Sequence, residues 1–248
     1  MYPFRRQKTE TARSAFIAYL GGGLLLAVVL QAFVLKPYSI TAGSMAPNLV
    51  RGDDVVVSKA AYGWSRYSLP FALPLIPGRL GGGAGALRGD LAVFKLPRDG
   101  ATSYASRVIG RPGDRVELLS GRLVVNGRRY SYEFLPQTEE ERRKGVRRAF
   151  EANGEGRRYL VYLKDCPPTD PAKTFLVPPG SYFLLGDNRD DSVDSRFGRD
   201  VGVGFVPVEN LEGRVELILT SWTQRASLVD LRSWFAEARF DRFFTHPV

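Results

Sequence analysis

The sequence predicts a mainly β fold in which a single N-terminal transmembrane helix precedes a β-rich domain with an inserted subdomain. One long apolar run, residues 15–35, lies near the N-terminus, and no second run approaches membrane length. After it, short segments rich in β-branched and aromatic residues alternate with turn pairs such as Pro112-Gly113, Asn126-Gly127 and Pro179-Gly180. Such alternation is typical of antiparallel strands. Hydrophobic residues make up 44% of the chain, which is enough for a core.

The apolar run at residues 15–35 is predicted to be a membrane anchor. About 20 helical residues cross the roughly 30 Å hydrocarbon core of a bilayer, and Gln31 is the only strongly polar residue in the run. Basic residues outnumber acidic ones in residues 1–14, so the positive-inside rule predicts a cytoplasmic tail there and everything after Lys36 outside. A removed secretory signal is the alternative, but its apolar core is usually shorter. We therefore expect a retained single span.

The segments predicted to be strands follow within one domain, residues 37–225. They are residues 54–58, 91–96, 106–109, 115–118, 122–125, 160–163, 182–185 and 214–219. A subdomain of roughly residues 120–180 is predicted to be inserted among them. In it, residues 138–153 are charged and poor in β-branched residues, which indicates an exposed helix or a mobile insertion.

Two further segments have an apolar content that suggests contact with something other than water. Residues 67–78 carry no charge and contain three prolines. They form either a buried strand or, because proline removes ladder donors, an apolar interfacial loop. The C-terminal tail, residues 226–248, has apolar residues near helical spacing with arginines between them. It either docks on the domain or lies along a membrane surface.

Composition argues against several classes of function. The net charge is +9, but the arginines are spread along the chain without a nucleic-acid-binding motif. A basic domain next to a bilayer is attracted to anionic head groups, so we expect a lipid partner and no nucleic acid. Cys166 is the only cysteine and His246 the only histidine, so no internal disulfide and no metal cluster is expected.

Candidate chemistry is concentrated in separated stretches: residues 41–49, 51–59, 106–114 and 186–197. The first contains Ser44, just beyond the apolar run. Because His246 is so close to the C-terminus, a serine–histidine pair has almost no candidate. The last stretch is rich in aspartate but lacks the spacing of a helix–loop–helix calcium site, and its arginines oppose cation binding. It is predicted to be a rigid, ion-paired loop.

Together and in this order the stretches resemble the bacterial type I signal peptidases. The resemblance rests on Gly-Ser-Met at residues 43–45, Arg-Val-Ile-Gly-x-Pro-Gly-Asp at residues 107–114, and Gly-Asp-Asn-Arg-Asp-x-Ser-x-Asp-Ser-Arg at residues 186–196. It implies a mainly β fold around a serine–lysine dyad, at the outer face of the bacterial cytoplasmic membrane and without a metal or cofactor. It further implies cleavage of signal peptides from exported preproteins, commonly after Ala-x-Ala, with the protein-export machinery as a further candidate partner.

The resemblance also implies roles for individual residues. They are Ser44 as the nucleophile with its backbone amide as an oxyanion donor, Ser192 as the residue that positions the base, Asp194 with Arg196 as a supporting ion pair, Arg107 as a further supporting residue, and Met45 as part of the substrate cleft. At Ala42 many members have a serine whose hydroxyl completes the oxyanion hole. Loss of one such donor typically lowers the rate about 10² to 10³-fold, so Ala42 is expected to weaken activity without abolishing it.

The family's general base is a lysine directly before the Arg-Val of the third stretch, and this chain has Ser106 there. Burial lowers the pKa of a lysine enough to provide a neutral amine, whereas a hydroxyl is far too weak a base near pH 7. Lys59 and Lys95 flank the motifs, but both are expected to be surface or structural residues. Three interpretations remain: a peptidase with a relocated base, a natural relative that does not cleave, and a deliberately inactivated variant.

Two classes of function follow from the sequence. The first is a membrane-anchored signal peptidase, a serine endopeptidase that cleaves signal peptides. The alternative is a relative or variant that holds signal peptides in the same cleft without hydrolysis, because the dyad lysine is missing. A more distant hypothesis is a processor of pilins or conjugation proteins.

Overall fold

The computed structural model describes residues 15–26, 34–69, 76–81, 85–165, 172–223 and 235–247. Its fold is mainly β, which confirms the predicted class. The strands are β1 (Leu35–Ser39), β2 (Asp53–Ser58), β3 (Trp64–Ser65), β4 (Arg79–Leu80), β5 (Leu91–Lys95), β6 (Ser103–Gly110), β7 (Arg115–Leu119), β8 (Arg122–Val125), β9 (Arg128–Arg129), β10 (Ser131–Phe134), β11 (Val146–Ala152), β12 (Arg158–Lys164), β13 (Lys173–Leu176), β14 (Ser181–Leu185), β15 (Val206–Pro207) and β16 (Leu211–Ser221). The helical elements are α1 (residues 15–26), α2 (Glu139–Lys144), a turn at residues 235–237, and 3₁₀ turns at Arg66–Ser68, Val208–Asn210 and Phe240–Arg242.

A seven-stranded sheet positions the sequence motifs in space. Its strand order is β1-β2-β16-β5-β6-β14-β15, and neighbouring strands are antiparallel. Successive side chains of a strand point to opposite faces, so Phe94 of β5 packs with Val108 and Leu184 on one face. Val93 packs on the other face, in a core that also contains Met45. The segment around Ser44 is therefore anchored in the core of the second face.

The strands between β6 and β14 form two smaller sheets. One has the order β10-β11-β12 and the other β13-β7-β8-β9. Phe183 of the main sheet packs against Val116 and Leu123 of the four-stranded sheet, so this sheet shares a core with the main one. The three-stranded sheet has a smaller core around Tyr159 and Val161.

Residues 138–153 match the expected exposed helix only in their first part. Helix α2 covers the first part and begins with a capping box, in which the Thr138 and Glu141 side chains each bond the other's backbone amide. The second part is strand β11, which pairs with both β10 and β12. The prediction was wrong there because the buried partners of Arg148 and Glu151 come from other elements: Arg148 pairs with Glu141, and Glu151 with Arg189.

The N-terminal region is described only in part. Helix α1 has exposed side chains throughout, and residues 27–33 of the predicted span lie outside the described residues. Among the residues that the structure describes, no helix is long and apolar enough to cross a membrane. Leu35, the last residue of the predicted span, instead begins β1 and pairs with Ser58. Because β1 is an edge strand, it tolerates Pro37, which lacks a ladder donor.

Two other segments with sequence predictions, the apolar loop and the C-terminal tail, are only partly described. Residues 70–75 of the apolar loop, and Cys166, lie outside the described residues. In the C-terminal tail, residues 235–247 are described, and they dock on the domain. Ala238 forms a β-bridge with Trp222, and Thr245 forms another with Ile218.

Candidate active site

Ser44 lies on a tight turn that buried residues support. We call residues 43–50 the Ser44 loop. The Ala46 amide donates to Gly43 O at 3.1 Å, and the Leu49 amide donates to Met45 O at 3.0 Å. Met45 and Leu49 are buried in the core, whereas Ser44 stays partly exposed. The loop therefore presents Ser44 at the surface on a buried support.

The Ser44 loop is bonded to the fourth motif, which we call the Asp187 loop (residues 186–197). The Asn188 amide donates to Ser44 O at 2.9 Å, and Asn188 Nδ2 donates to Gly43 O at 3.4 Å. From the other side, Asn48 Nδ2 donates to Asp187 Oδ2 at 2.6 Å. Two stretches far apart in the sequence thus form one hydrogen-bonded unit.

The third motif joins this unit through a buried ion pair. Arg107 is 1% exposed and Asp187 is fully buried. Arg107 Nε and Nη2 each donate to an Asp187 carboxylate oxygen at 2.7 Å, and Arg107 Nη1 donates to Gly89 O at 2.7 Å. The guanidinium also lies 3.8 Å from the ring centroid of Tyr159. Such a bidentate ion pair fixes the distance and angle between β6 and the Asp187 loop.

Gly186 lies against the Ser192 side chain and the Ser44 backbone. Strands β6 and β14 pair Arg107 with Leu185, so the next residue of the antiparallel register, Gly186, lies beside Ser106. A Cβ atom on Gly186 would lie 2.3 Å from Ser192 Oγ and 2.6 Å from Ser44 O. The Ser192 side chain and the Ser44 backbone therefore meet at Gly186, and the strand register puts Ser106 next to this point on β6.

The Asp187 loop is held by ion pairs, as its composition predicts. Arg196 Nε donates to Asp194 Oδ1 at 2.8 Å, and Asp194 Oδ2 accepts from the Gly186 amide at 3.1 Å. Arg189 is buried and bonds both carboxylate oxygens of Glu151 on β11. The predicted pair of Asp194 and Arg196 is thus present, and it supports the backbone at Gly186.

Ser106, at the position of the family's base, is buried at 5% exposure. Its hydroxyl donates to the neighbouring Ala105 O at 2.8 Å. Ala42 is exposed beside the Ser44 loop and its methyl group offers no hydrogen-bond donor. Met45, expected to shape a substrate cleft, is 1% exposed and supports the loop from beneath, so it offers almost no surface to a bound peptide.

The lysines nearest to the motifs in sequence gather around another residue, Glu212. Lys36 Nζ and Lys95 Nζ lie 3.0 and 3.6 Å from Glu212 Oε1. Lys59 is buried, and this burial, followed by the charge of Lys36, lowers its pKa. The cluster contacts β6 at its first residue, Ser103, whose Oγ donates to Glu212 Oε2 at 3.3 Å. Ser106 lies about 10 Å further along the strand.

The sequence reasoning did not single out Asn48 or Asp187. For Asp187 the only signal was the aspartate-rich composition of its stretch, and no signal pointed to Asn48. Among the described residues, no group of acidic, cysteine or histidine side chains is arranged to hold a metal ion.

Adding a methyl group at Gly186 is expected to disturb the site more than the fold. In Gly186→Ala the new Cβ would overlap Ser192 Oγ and Ser44 O. Because overpacking typically costs about 1–3 kcal/mol, we expect a loss of stability in this range and displacement of both serines. Denaturant unfolding measures the first, and amide exchange at Asn188, which bonds Ser44 O, measures the second. Gly43→Ala is the control, because a Cβ on Gly43 meets no atom within 4 Å; equal effects of the two substitutions would contradict the assignment.

A family model and similar curated proteins agree on one family. A family model described as signal peptidase, peptidase S26, matches residues 13–222. Signal peptidase I of Rickettsia canadensis (strain McKiel) is 33% identical over 242 residues, which cover 88% of this chain and 88% of the relative. Signal peptidase I of Rickettsia typhi (strain ATCC VR-144 / Wilmington) is 31% identical over 255 residues, with 96% and 92% covered. A crystal structure of a signal peptidase I from Enterococcus faecalis V583 is 29% identical, with 52% of this chain and 95% of that chain covered and a TM-score of 0.31.

Proposed function

The chain belongs to the type I signal peptidase family, and from this premise we propose that its Ser44 site binds the signal peptides of exported preproteins. Ser44 is partly exposed on a loop that the Asp187 loop and the buried core hold in place. A peptide with small side chains one and three residues before the cut would place its carbonyl carbon at Ser44 Oγ. The Ser44 backbone amide would face the carbonyl oxygen.

Position 106 decides whether the bound peptide is cut. Attack by Ser44 Oγ requires a group that accepts its proton, and the family uses a lysine amine for this step. Here the position carries a hydroxyl that donates to Ala105 O, and a hydroxyl is far too weak a base near pH 7. We therefore propose that this chain holds signal peptides without hydrolysing them. The observation that carries this proposal is Ser106 itself, buried in β6 directly before Arg107, which pairs with Leu185 of β14.

A second candidate is a cleaving signal peptidase with a relocated base. One observation favours it: Lys59 is buried and its pKa is lowered, as a lysine base requires. The charged residues that act on Lys59, which are Lys36 and Glu212, belong to the cluster near Ser103. This position favours a structural role for Lys59. If this candidate is right, Lys59→Met should abolish cleavage by the otherwise unaltered chain.

The place of action is proposed to be the outer face of the bacterial cytoplasmic membrane. The apolar run that begins at residue 15 and ends before β1 would anchor the chain in a single pass, with residues 1–14 in the cytoplasm and the β domain outside. The apolar run and the basic residues before it support this topology, as do the exposed apolar side chains of α1, including Phe16 and Leu24. The lipid bilayer and the protein-export machinery would then be its neighbours.

Binding of a labelled signal peptide tests the proposed function. The full chain in lipid nanodiscs should bind a peptide with an Ala-x-Ala site at least about tenfold more tightly than the same peptide with bulky residues at both small positions, a difference of about 1.4 kcal/mol. Fluorescence anisotropy measures both affinities. Equal affinity for the two peptides, or no binding of either, would contradict the proposal.

A further inference from the structure

The C-terminal segment contacts the base of the Ser44 loop. We call residues 238–247 the C-terminal strap. It lies beyond the residues that the family model matches, and bridges at Ala238 and Thr245 attach it to Trp222 and to β16. Within the strap, Arg242 is mostly buried and points toward the start of β2.

Arg242 first binds Asp53, a fully buried carboxylate. Arg242 Nε and Nη2 donate to Asp53 Oδ1 and Oδ2 at 3.1 and 2.6 Å. The same carboxylate accepts from the Val50 amide at 2.8 Å and from Ser221 Oγ at 2.5 Å. Arg242 thus balances the charge of the group that fixes the last residue of the Ser44 loop.

Arg242 also contacts the Ser44 loop directly. Its Nη2 donates to Asn48 O at 2.8 Å. The Asn48 side chain in turn donates to Asp187 Oδ2 and to Leu160 O, at 2.6 and 2.7 Å. Asn188, the residue after Asp187, donates its amide to Ser44 O. A continuous series of contacts therefore runs from the strap to the backbone of Ser44.

We propose that Arg242 is a positioning residue for Ser44. A guanidinium can bond a carboxylate and a carbonyl at the same time in a fixed geometry, whereas a lysine ammonium acts as a point charge on a flexible stem. The bridge between Asp53 and Asn48 O holds the Ser44 loop against the Asp187 loop. This inference rests on the proposed function insofar as the position of Ser44 matters for a bound signal peptide.

The test compares Arg242→Gln, Arg242→Lys and Arg239→Gln in the full chain. Arg239 is the matched control: it also attaches the strap and lies 3.8 Å from Asp53 Oδ1, but it donates to Arg51 O and Trp222 O, outside the Ser44 loop. Hydrogen exchange is measured at the Ala46 and Leu49 amides, which close the Ser44 turn. We expect about tenfold faster exchange in both Arg242 variants and little change in Arg239→Gln. Arg242→Lys keeps the charge opposite Asp53, so its thermal midpoint should stay closer to that of the unaltered chain than the midpoint of Arg242→Gln.

A kinetic readout is added in the Ser106→Lys background, where cleavage is expected. There both Arg242 variants should lower kcat about tenfold with less than a twofold change in KM. Normal exchange and normal kcat in Arg242→Lys, or equal acceleration of exchange in Arg239→Gln, would overturn the positioning role and leave only a structural ion pair. If the Ser106→Lys chain does not cleave at all, the proposed chemistry fails, while the exchange data still decide the role of Arg242.

Discussion

Ser106→Lys is expected to give this chain Ser44-dependent peptidase activity. The new side chain would project from β6 directly before Arg107, which pairs with Leu185. The next residue of β14, Gly186, lies against Ser192 and the Ser44 backbone. Burial would lower the pKa of the lysine and favour its neutral form, which can accept the Ser44 proton. A positioned base typically contributes about 10² to 10⁴-fold to a rate. Release of the mature fragment from a preprotein with an Ala-x-Ala site, followed by mass spectrometry, measures the gain.

The pH dependence and two control variants make this result specific. Only the neutral amine accepts a proton. The cleavage rate should therefore be low at pH values below the pKa of the lysine and rise as the pH increases through this pKa. Ser106→Met has similar bulk without an amine and should stay inactive, as should the double variant Ser44→Ala/Ser106→Lys. A folded lysine variant without activity would show that more than the base is missing.

Of the substitutions described, Asp187→Ala is expected to lower the free energy of unfolding most. The substitution leaves the Arg107 guanidinium, which is 1% exposed, without its carboxylate partner. Breaking a buried ion pair on one side typically costs about 3–5 kcal/mol. The Asn48 side chain would also lose a hydrogen bond at 2.6 Å, so the Ser44 loop should loosen. Denaturant unfolding measures the free energy, and amide exchange at Leu49 reports on the loop.

Asp191→Ala is the matched control for this prediction. Asp191 belongs to the same loop but is exposed, and exposed substitutions usually change stability by less than about 0.5 kcal/mol. A loss below about 1 kcal/mol in Asp187→Ala would contradict the view that the pair of Arg107 and Asp187 fastens β6 to the Asp187 loop.

The sequence predicted the β class because its strands obey local patterns. Strand β8, for example, consists of the predicted residues Arg122–Val125 and is followed by the expected Asn126-Gly127 turn. Strand β11 escaped prediction because its burial depends on long-range partners: the charge of Glu151 is matched by Arg189, far away in the sequence. Strand β1 escaped because Leu35 continues an apolar run whose pattern is typical of a helix.

The candidate site was predictable in its parts and not in its connections. Motif order identified the stretches around Ser44, Ser106 and Ser192, and the fold brings the Ser44 backbone and Ser192 to Gly186, next to the pairing of β6 with β14. The contacts that join these stretches, from Asn48 to Asp187 and from Arg242 to Asp53, link residues far apart in the chain. No local periodicity or turn signal reports such a contact, so it becomes visible only in the folded structure.

The most direct measurement of the central claim uses the chain with Ser106 in place. The full chain and its Ser44→Ala variant are incubated in lipid with one labelled preprotein that carries an Ala-x-Ala site, and bound and cleaved fractions are quantified together. We expect both proteins to bind the preprotein and neither to release the mature fragment. Release by the unaltered chain that Ser44→Ala abolishes would contradict the claim that this site lacks its base.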